Sequence, residues 1–331
     1  MSTRRELITL LGGAAVWPLA ARAQQGERLR RVGVLMGHVE TDSAPRAYLS
    51  AFTQELAKLG WTDGGNLRLA VRWTASDHSR TGMLAKELVD LQPDVILANT
   101  SPVTAALHRE TRTTPLVFVV VADPVGQGFV NNLAHPGENI TGFVFVEGAM
   151  MGKWLDLLMQ IAPDIKRAAI MFNPDTAPRG GSYFLPGFMA AAGPLKVDPI
   201  VAHVHNDAEI EAVMNSLGRE PRGGLVIMPD IWTYVHRAPI ISLAASKNIP
   251  TAYWDIRFVR EGGLLCYGPD QVDLFRRSAE YVDRILRGAK PGELPVQLPV
   301  KFEMVINDRA AKALGLAVPL HLQQLADEVI E

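Results

Sequence analysis

The stretch formed by residues 94–123 restricts the fold of this chain more than any other part of the sequence. Residues 95–98 and 116–121 are unbroken apolar runs, as expected for strands of a parallel sheet that is covered on both faces. Between these runs, apolar side chains recur at helical spacing, at Val103, Ala106 and Leu107. The stretch therefore predicts a strand, a helix and a parallel strand, which is the repeating unit of an α/β fold.

The start of the predicted helix is rich in groups that attract an anion. Ser101 stands where an N-cap is expected, and Pro102 stands at the first helical position. Together with the hydroxyl of Thr100, the free N–H groups of the helix would open at the carboxyl edge of the sheet. Ligands of open α/β sheets bind at that edge. The alternative is that both hydroxyls only cap the helix.

The same alternation of strands and helices recurs along the chain and restarts at residue 146. The predicted strands span residues 31–36, 67–73, 95–98, 116–121, 140–145, 167–172, 199–204, 224–228, 250–253, 263–268 and 302–306. Residues 67–73 alternate like an edge strand. We expect the strand at 263–268 and the helix at 272–286 to return to the first unit, and residues 302–306 to complete the second. Several connections between two lobes predict a hinge.

Residues 1–23 have the pattern of an export signal. Paired arginines precede an apolar stretch at 7–21, and Ala21-Arg22-Ala23 has the form of a signal-peptidase site. The arginine pair suggests the twin-arginine route, although ordinary signals also contain such pairs. A membrane anchor is the alternative, but the run is short and is broken by Gly12, Gly13 and Pro18. We predict a periplasmic protein that does not span a membrane.

Length and composition favour a chain of two domains that relies on its core. The 331 residues carry a net charge of −2 and one cysteine. The near balance of dispersed charges argues against nucleic acid as a partner. A single cysteine excludes a disulfide framework and a thiolate metal site.

Polar and aromatic residues close the predicted strands and would line one cleft if the two sheets faced each other. The polar residues at strand ends are His38, Thr100, Ser101, Asp123, Asn173 and Asp230. Each of them taken alone is better explained as a helix cap, but their shared position at strand ends favours a cleft. Aromatic side chains follow the later strands, and they serve either core packing or ligand contact.

Sequence motifs of enzymes are largely missing. Gly126-Gln127-Gly128 lacks the third glycine of a dinucleotide-binding loop and does not directly follow a strand. We found neither a phosphate-binding loop nor the serine motif of hydrolases. His203 and His205 share a strand face without a third ligand at metal-site spacing. We expect no cofactor, no metal and no catalytic residues, although a missing motif does not exclude an enzyme.

An ordered set of motifs spans almost the whole chain and resembles a known family. The matching segments include RRVGVLMG, LGWTDGGNLRL, PDVILANTSPVTAAL, PLVFVVVADPVGQGFV, LAHPGENITGF, GKWLDLLMQIAP, MFNPDTAP, GGLVIMPD and DLFRRSAEYVDRILRGAKPGELPVQLPVKFEMVIN. The chain resembles the substrate-binding proteins of bacterial ABC transporters, in the branch of periplasmic tryptophan-binding-type proteins. This resemblance implies a type I periplasmic binding protein fold, an α/β fold of two Rossmann-like, doubly wound lobes joined by a three-strand hinge. The expected N-terminal lobe is 24–145 plus 254–298, and the C-terminal lobe is 146–253 plus 299–331.

The resemblance also implies a role and a binding site. Thr100 and Ser101 match a hydroxyl pair that holds a ligand carboxylate, and Asp123, Asn173 and Asp230 match positions where a carboxylate holds an ammonium group. The chain departs from the family pattern at His38, Ile231-Trp232 and Trp254-Asp255. The remaining expected ligand contacts are Trp232, Tyr253, Trp254 and Asp255.

The implied function is capture of a small solute, an amino acid or an aromatic or zwitterionic molecule, for a membrane permease. Asp255 would instead favour a more cationic solute. An exported Rossmann-like enzyme and the sensing module of a membrane receptor are the alternatives.

Overall fold

The computed structural model describes residues 29–219 and 223–331. The predicted export signal at 1–23 lies outside these residues. Within the described part, no helix combines the length and apolar character needed to cross a membrane.

The first lobe is built on a parallel sheet of five strands in the order β2-β1-β3-β4-β5. Its elements are β1 (Arg30–Met36), α1 (Ser43–Lys58), β2 (Leu67–Trp73), α2 (His78–Asp90), β3 (Val95–Asn99), α3 (Ser101–Glu110), β4 (Leu116–Val121) and β5 (Ile140–Val144). Strand β2 lies at the edge, as its alternating pattern predicts. The central strands are buried because helices cover both faces.

The second lobe contains a seven-stranded sheet in the order β12-β11-β10-β9-β8-β6-β7. Its first elements are α4 (Met150–Ile161), β6 (Arg167–Phe172), α5 (Leu185–Ala192), β7 (Asp198–His203), α6 (Asp207–Arg219), β8 (Gly223–Ile227), α7 (Ile231–Val235), α8 (Arg237–Ser246), β9 (Thr251–Tyr253), α9 (Ile256–Arg260) and β10 (Leu265–Pro269). After α10 (Gln271–Leu286) follow β11 (Phe302–Asn307), α11 (Asp308–Ala313), α12 (Leu320–Leu325) and β12 (Glu328–Ile330). Strands β10 and β11 are antiparallel, and the other described pairs are parallel.

Alternation along the strands of the first lobe separates two apolar layers. Val32 and Val34 of β1 pack with Phe52 of α1 on one face. Leu35 of β1 packs on the other face with Leu107 of α3. Two helix layers on one parallel sheet make this lobe doubly wound, which confirms the predicted fold class.

The structure corrects the predicted return to the first lobe. Residues 254–298 were expected there, but β10 pairs with β9 and β11 in the second sheet. The return begins with α10, which packs against α1 and β4. The physical reason is that an apolar strand pattern shows only that a strand is buried, and not which sheet supplies its partners.

Three segments join the lobes. They lie between β5 and α4, between β10 and α10, and between residue 297 and β11. Gln297 still lies beside Phe143 of β5, whereas the Asp270 backbone nitrogen donates to the Lys301 carbonyl oxygen at 3.0 Å. Two of the connections therefore run side by side, at the place where a hinge is expected.

A candidate binding cleft between the lobes

The carboxyl ends of the two sheets face each other across a small cavity of about 40 Å³. Five predicted site residues line it: His38, Thr100, Ser101, Asp230 and Trp254. The other lining residues are Pro102, Val120, Ala122, Phe145, Thr176, Pro178, Pro229 and Ile231. Both lobes contribute, so the cavity depends on how the lobes are arranged.

His38 follows β1 and is almost fully buried. Its ring nitrogen Nδ1 lies 2.9 Å from Asn99 Oδ1 at the end of β3. The edge of its ring meets Tyr234 of the second lobe, with ring centroids 5.0 Å apart. Burial lowers the pKa of His38 to about 4, so the ring is neutral near pH 7.

Thr100 is the N-cap of α3, one residue before the predicted cap at Ser101. Its side chain makes no capping bond, and its buried Oγ1 has no partner among the described residues. Its backbone φ of +83° is unusual for a β-branched residue and costs on the order of 1–3 kcal/mol. Gly37 permits this arrangement, because a Cβ there would lie 2.7 Å from Thr100 Oγ1. Such strain is typical of binding sites.

Ser101 Oγ is oriented by a neighbouring loop. Gln127 Nε2 donates to it at 3.1 Å and also donates to the Ala122 carbonyl oxygen. The hydroxyl hydrogen of Ser101 therefore stays available at the N-terminus of α3, where the helix dipole favours an anion.

The Asp230 carboxylate caps α7 and ties it to the loop after β6. Its oxygens accept from the backbone nitrogens of Trp232 at 2.7 Å, Thr233 at 3.3 Å and Asn173 at 2.9 Å, and from the Thr176 hydroxyl. Burial raises the pKa of Asp230, and these hydrogen bonds oppose the rise. Four donors match the approximately four acceptor sites of a carboxylate. Geometrically, Asp230 is a cap, which is the alternative that the sequence left open.

Aromatic rings form one wall of the cleft. Trp254 packs edge-on against Phe145, with ring centroids 5.3 Å apart, and lies 5.7 Å from the ring of Tyr234. Phe145 and Tyr234 were not predicted as site residues. Phe145 directly follows β5, so the strand-end rule that selected Asp123 could also have selected it.

Four buried polar atoms without partners among the described residues lie at this cleft or next to it. Thr100 Oγ1 and Trp254 Nε1 belong to residues that line the cavity, whereas Asn99 Nδ2 and Tyr234 Oη belong to residues that contact His38. An unpaired buried polar group costs about 1–3 kcal/mol, and most such groups in native proteins are paired. Their grouping here indicates a surface suited to polar contacts with a ligand.

The other five predicted residues do not line the 40 Å³ cavity. Asn173 Oδ1 accepts from the backbone nitrogen of Asp175, and Trp232 stacks on His236. Tyr253 stacks on Phe258 in the core. Asp123 and Asp255 are likewise absent from the cavity lining.

Asp255 caps α9 and lies beside the hinge. It accepts from the Arg257 backbone nitrogen at 2.7 Å and from Gln271 Nε2. Burial raises its pKa to about 6. Together with Trp254 and with Ser43 of α1, it lines a second cavity of about 490 Å³.

Ion pairs join the two lobes on both sides of the cleft. Asp42 of the first lobe lies 2.7 Å from Arg237 and 3.6 Å from Arg257. Asp123 lies 3.3 Å from Arg179, and its Oδ1 also accepts from the Gly126 backbone nitrogen. No local pattern in the sequence indicates these ion pairs, because their members are distant in the chain.

A family model described as ABC transporter substrate binding protein matches residues 31–330. The chain belongs to this family.

A sequence relative matches most of this substrate-binding protein, and two solved structures share its fold. A tyrosine-binding protein of Clostridioides difficile (strain R20291) is 24% identical over 293 residues, which are 88% of this chain and 82% of that protein. A conserved domain protein from Vibrio cholerae is 24% identical with a TM-score of 0.84, and the match covers 91% of this chain and 100% of that one. An ABC domain from Streptococcus pneumoniae in complex with L-Trp is 22% identical with a TM-score of 0.83, covering 91% and 99%. The fold is that of type I periplasmic binding proteins.

The cleft of this substrate-binding protein offers hydrogen-bonding and aromatic groups rather than a metal site. Within residues 29–219 and 223–331, no group of three His, Cys, Asp or Glu side chains could hold a metal ion. The cavity lies between a helix N-terminus and an aromatic wall, and at about 40 Å³ it has to widen before it can hold a solute of amino-acid size.

Proposed function

We propose that this protein captures a small solute in the interlobe cleft by hinge closure and presents it to the membrane permease of an ABC importer. The observation that carries the proposal is that one lining residue of each lobe, Thr100 and Trp254, has a buried polar atom without a partner among the described residues. A solute that pairs with atoms of both lobes stabilises the closed arrangement over the open one. The role is binding rather than turnover.

The proposed solute is an amino acid or a similar aromatic or zwitterionic molecule. Its carboxylate would lie at the N-terminus of α3, next to the hydroxyls of Thr100 and Ser101. Its apolar part would lie on Trp254 and Phe145. The names of the relatives from C. difficile and S. pneumoniae, which refer to tyrosine and L-Trp, favour the same class.

The proposed site has its centre at the five predicted residues that line the cavity. Asp230 contributes to this site mainly by holding α7. The proposal also includes residues around this centre, which affect the shape of the cleft through their contacts with lining residues or across the lobes. These residues are Asp123, Asn173, Trp232, Tyr253 and Asp255. For an ammonium group, Asp255 beside the hinge is a buried carboxylate whose pKa burial raises to about 6, and a cation beside it would oppose that rise.

We also propose that residues 1–23 direct export to the periplasm. An importer's binding protein meets its solute outside the cytoplasmic membrane, and the paired arginines suggest the twin-arginine route. Detection of the mature chain in a periplasmic extract would support this assignment.

The direct test is a binding screen on ligand-stripped mature protein. Protein refolded from denaturant is screened by thermal shift against L-tryptophan, L-tyrosine, other amino acids, aromatic acids, sugars and nucleotide cofactors. A solute at about one hundred times its dissociation constant should add about 2.7 kcal/mol of stability. A response limited to nucleotide cofactors would contradict the proposal and favour an enzyme.

The carboxylate position is tested with Ser101→Ala. Loss of one hydrogen bond to a charged group costs about 1.5–3 kcal/mol, so affinity measured by calorimetry should fall about 10- to 150-fold. The matched control is Ser246→Ala, on an exposed part of α8 that does not line the cleft. Equal affinity in both variants would contradict the placement of the carboxylate at α3.

A further inference from the structure

The side chain of Asn99 has one orientation that satisfies the backbone beside it. Asn99 is fully buried, and its Oδ1 lies 3.2 Å from the Gly37 backbone nitrogen. An N–H group can only donate, so the facing amide atom has to be the oxygen. The reversed orientation would bring the Nδ2 hydrogens against the Gly37 N–H.

This orientation determines which nitrogen of His38 carries the proton. Asn99 Oδ1 also lies 2.9 Å from His38 Nδ1. The amide oxygen has no hydrogen to give, so Nδ1 carries the proton and donates it. A neutral imidazole protonated at Nδ1 has an unprotonated Nε2, which can accept a hydrogen bond but cannot donate one.

Nε2 has no hydrogen-bond partner among residues 29–219 and 223–331. The charged groups acting on the ring are Asp42 and Arg237, and these form an ion pair with each other at 2.7 Å. Tyr48 and Tyr234 approach only with their rings. His38 is one of the residues that line the cleft cavity, so a bound solute is the available partner.

We propose that His38 Nε2 accepts a hydrogen bond from a neutral N–H or O–H group of the bound solute, and that Asn99 is the positioning residue that keeps this nitrogen unprotonated. This inference rests on the proposed function and deepens it, because it names a group that the solute must carry. The Asp230 carboxylate already accepts from four donors, so it does not compete for this group.

The consequence is discrimination against solutes that lack the donor. A solute with an apolar or accepting atom at this position leaves a buried acceptor unpaired, which costs about 1–3 kcal/mol. That cost corresponds to a preference of roughly 5- to 150-fold for the donor-bearing solute.

The protonation form is tested by NMR on the wild-type protein. Long-range proton–nitrogen correlation spectra identify the tautomer of each histidine, and the His38→Phe spectrum assigns the signals of His38. We expect the Nδ1–H form from pH 5 to pH 8. The Nε2–H form, or a ring that becomes charged above pH 5, would overturn the inference.

The role of Asn99 is tested with Asn99→Asp. The new carboxylate still accepts from Gly37 and from His38 Nδ1, but its charge favours the doubly protonated ring. The affinity of Asn99→Asp for L-tyrosine or L-tryptophan, whichever of them wild type binds, should therefore fall relative to that of wild type as the pH is lowered from 8 to 5. Parallel pH profiles of the two proteins would contradict the positioning role, because Asp42, Asp255, Tyr48, Tyr234 and Arg237 are unchanged in both.

The donor requirement is tested with paired probes. L-Tyrosine and L-phenylalanine differ by one O–H group, and L-tryptophan and 1-methyl-L-tryptophan differ by one N–H group. Wild type should prefer the donor-bearing member of the pair it binds by at least about fivefold, the lower end of the range above, and His38→Phe should abolish this preference. If His38→Phe keeps the preference for the donor-bearing solute, this inference is overturned and the proposed function stands. If wild type binds no solute of any class, the proposed function is overturned as well.

Discussion

Single residues of the cleft differ in whether their polar groups are already satisfied within the protein. Asp230 accepts from four donors, and Asp255 accepts from two. By contrast, Thr100 Oγ1 and Trp254 Nε1 are buried without partners. The satisfied residues therefore act mainly on stability, and the unsatisfied ones are suited to act on binding.

Asp255→Asn tests the first group. Burial raises the pKa of Asp255 from its ordinary value of 3.8 to about 6, so the folded protein binds this proton more tightly than the unfolded chain. The associated stability is present below pH 4 and is lost as the pH rises to 6. Asparagine keeps the cap, and the unpartnered Gln271 Oε1 can turn toward the new amide. We expect the free energy of unfolding at pH 7 to rise by about 1–3 kcal/mol.

Urea unfolding of wild type and Asp255→Asn at pH 4, 5, 6 and 7 measures this effect. The control is Asp270→Asn, which changes another helix cap whose carboxylate lies 2.6 Å from Lys301. The control should not gain stability at pH 7. If wild type and Asp255→Asn keep a constant difference across this pH range, the assigned cause is wrong.

At the level of elements, α7 and the loop after β6 are held together by one carboxylate. Asp230 is the N-cap of a helix of five residues, too short to be stable by itself, and it also binds the backbone of Asn173. The position of Ile231 at the cleft therefore depends on a bond network within the second lobe.

Asp230→Ala should lower the free energy of unfolding by roughly 2–4 kcal/mol, because it removes a cap and leaves several donors unpaired. Asp230→Asn keeps one accepting oxygen and should lose clearly less. Chemical unfolding and calorimetry are carried out on both variants. A variant with wild-type stability and abolished binding would show instead that the carboxylate contacts the solute directly, as the family resemblance implied.

At the level of the whole molecule, the arrangement of the two lobes depends on contacts that neither lobe has alone. The side chain of Asp42 is 8% exposed and lies between Arg237 and Arg257, and Glu261 lies 3.0 Å from Arg237 and 3.4 Å from Arg257. Partly buried arginine–carboxylate networks are stronger than isolated surface pairs. Together with the pair of Asp123 and Arg179, this network stabilises the arrangement of the lobes in the structure.

Asp42→Asn should shift the molecule toward the open form while each lobe keeps its fold. Asparagine retains the cap of α1, where the Asp42 side chain accepts from Ala44, but it weakens the pairing with both arginines. We expect a larger radius of gyration in X-ray scattering and a several-fold weaker affinity. Asp90→Asn, which changes an exposed pair within α2, serves as the control. An unchanged radius together with unchanged affinity would contradict the role of this network.

Local patterns in the sequence determined the elements and the doubly wound architecture. Apolar runs marked the buried strands of the first sheet, and helical stripes marked the helices that cover it, because burial of each element is written in its own residues. Polar residues at strand ends also located the cleft, since the carboxyl ends of parallel strands share one edge. His38, Thr100 and Ser101 were found in this way.

Only the tertiary structure decided which groups at the cleft are satisfied and how the lobes meet. Residues far apart in the chain meet where β10 pairs with β11, where Asn173 and Thr176 donate to Asp230, and where Asp42 pairs with Arg237. No local periodicity encodes such contacts, because they depend on the packing of complete lobes. The proton position on His38 is of the same kind, since it follows from where Asn99 and Gly37 meet in space.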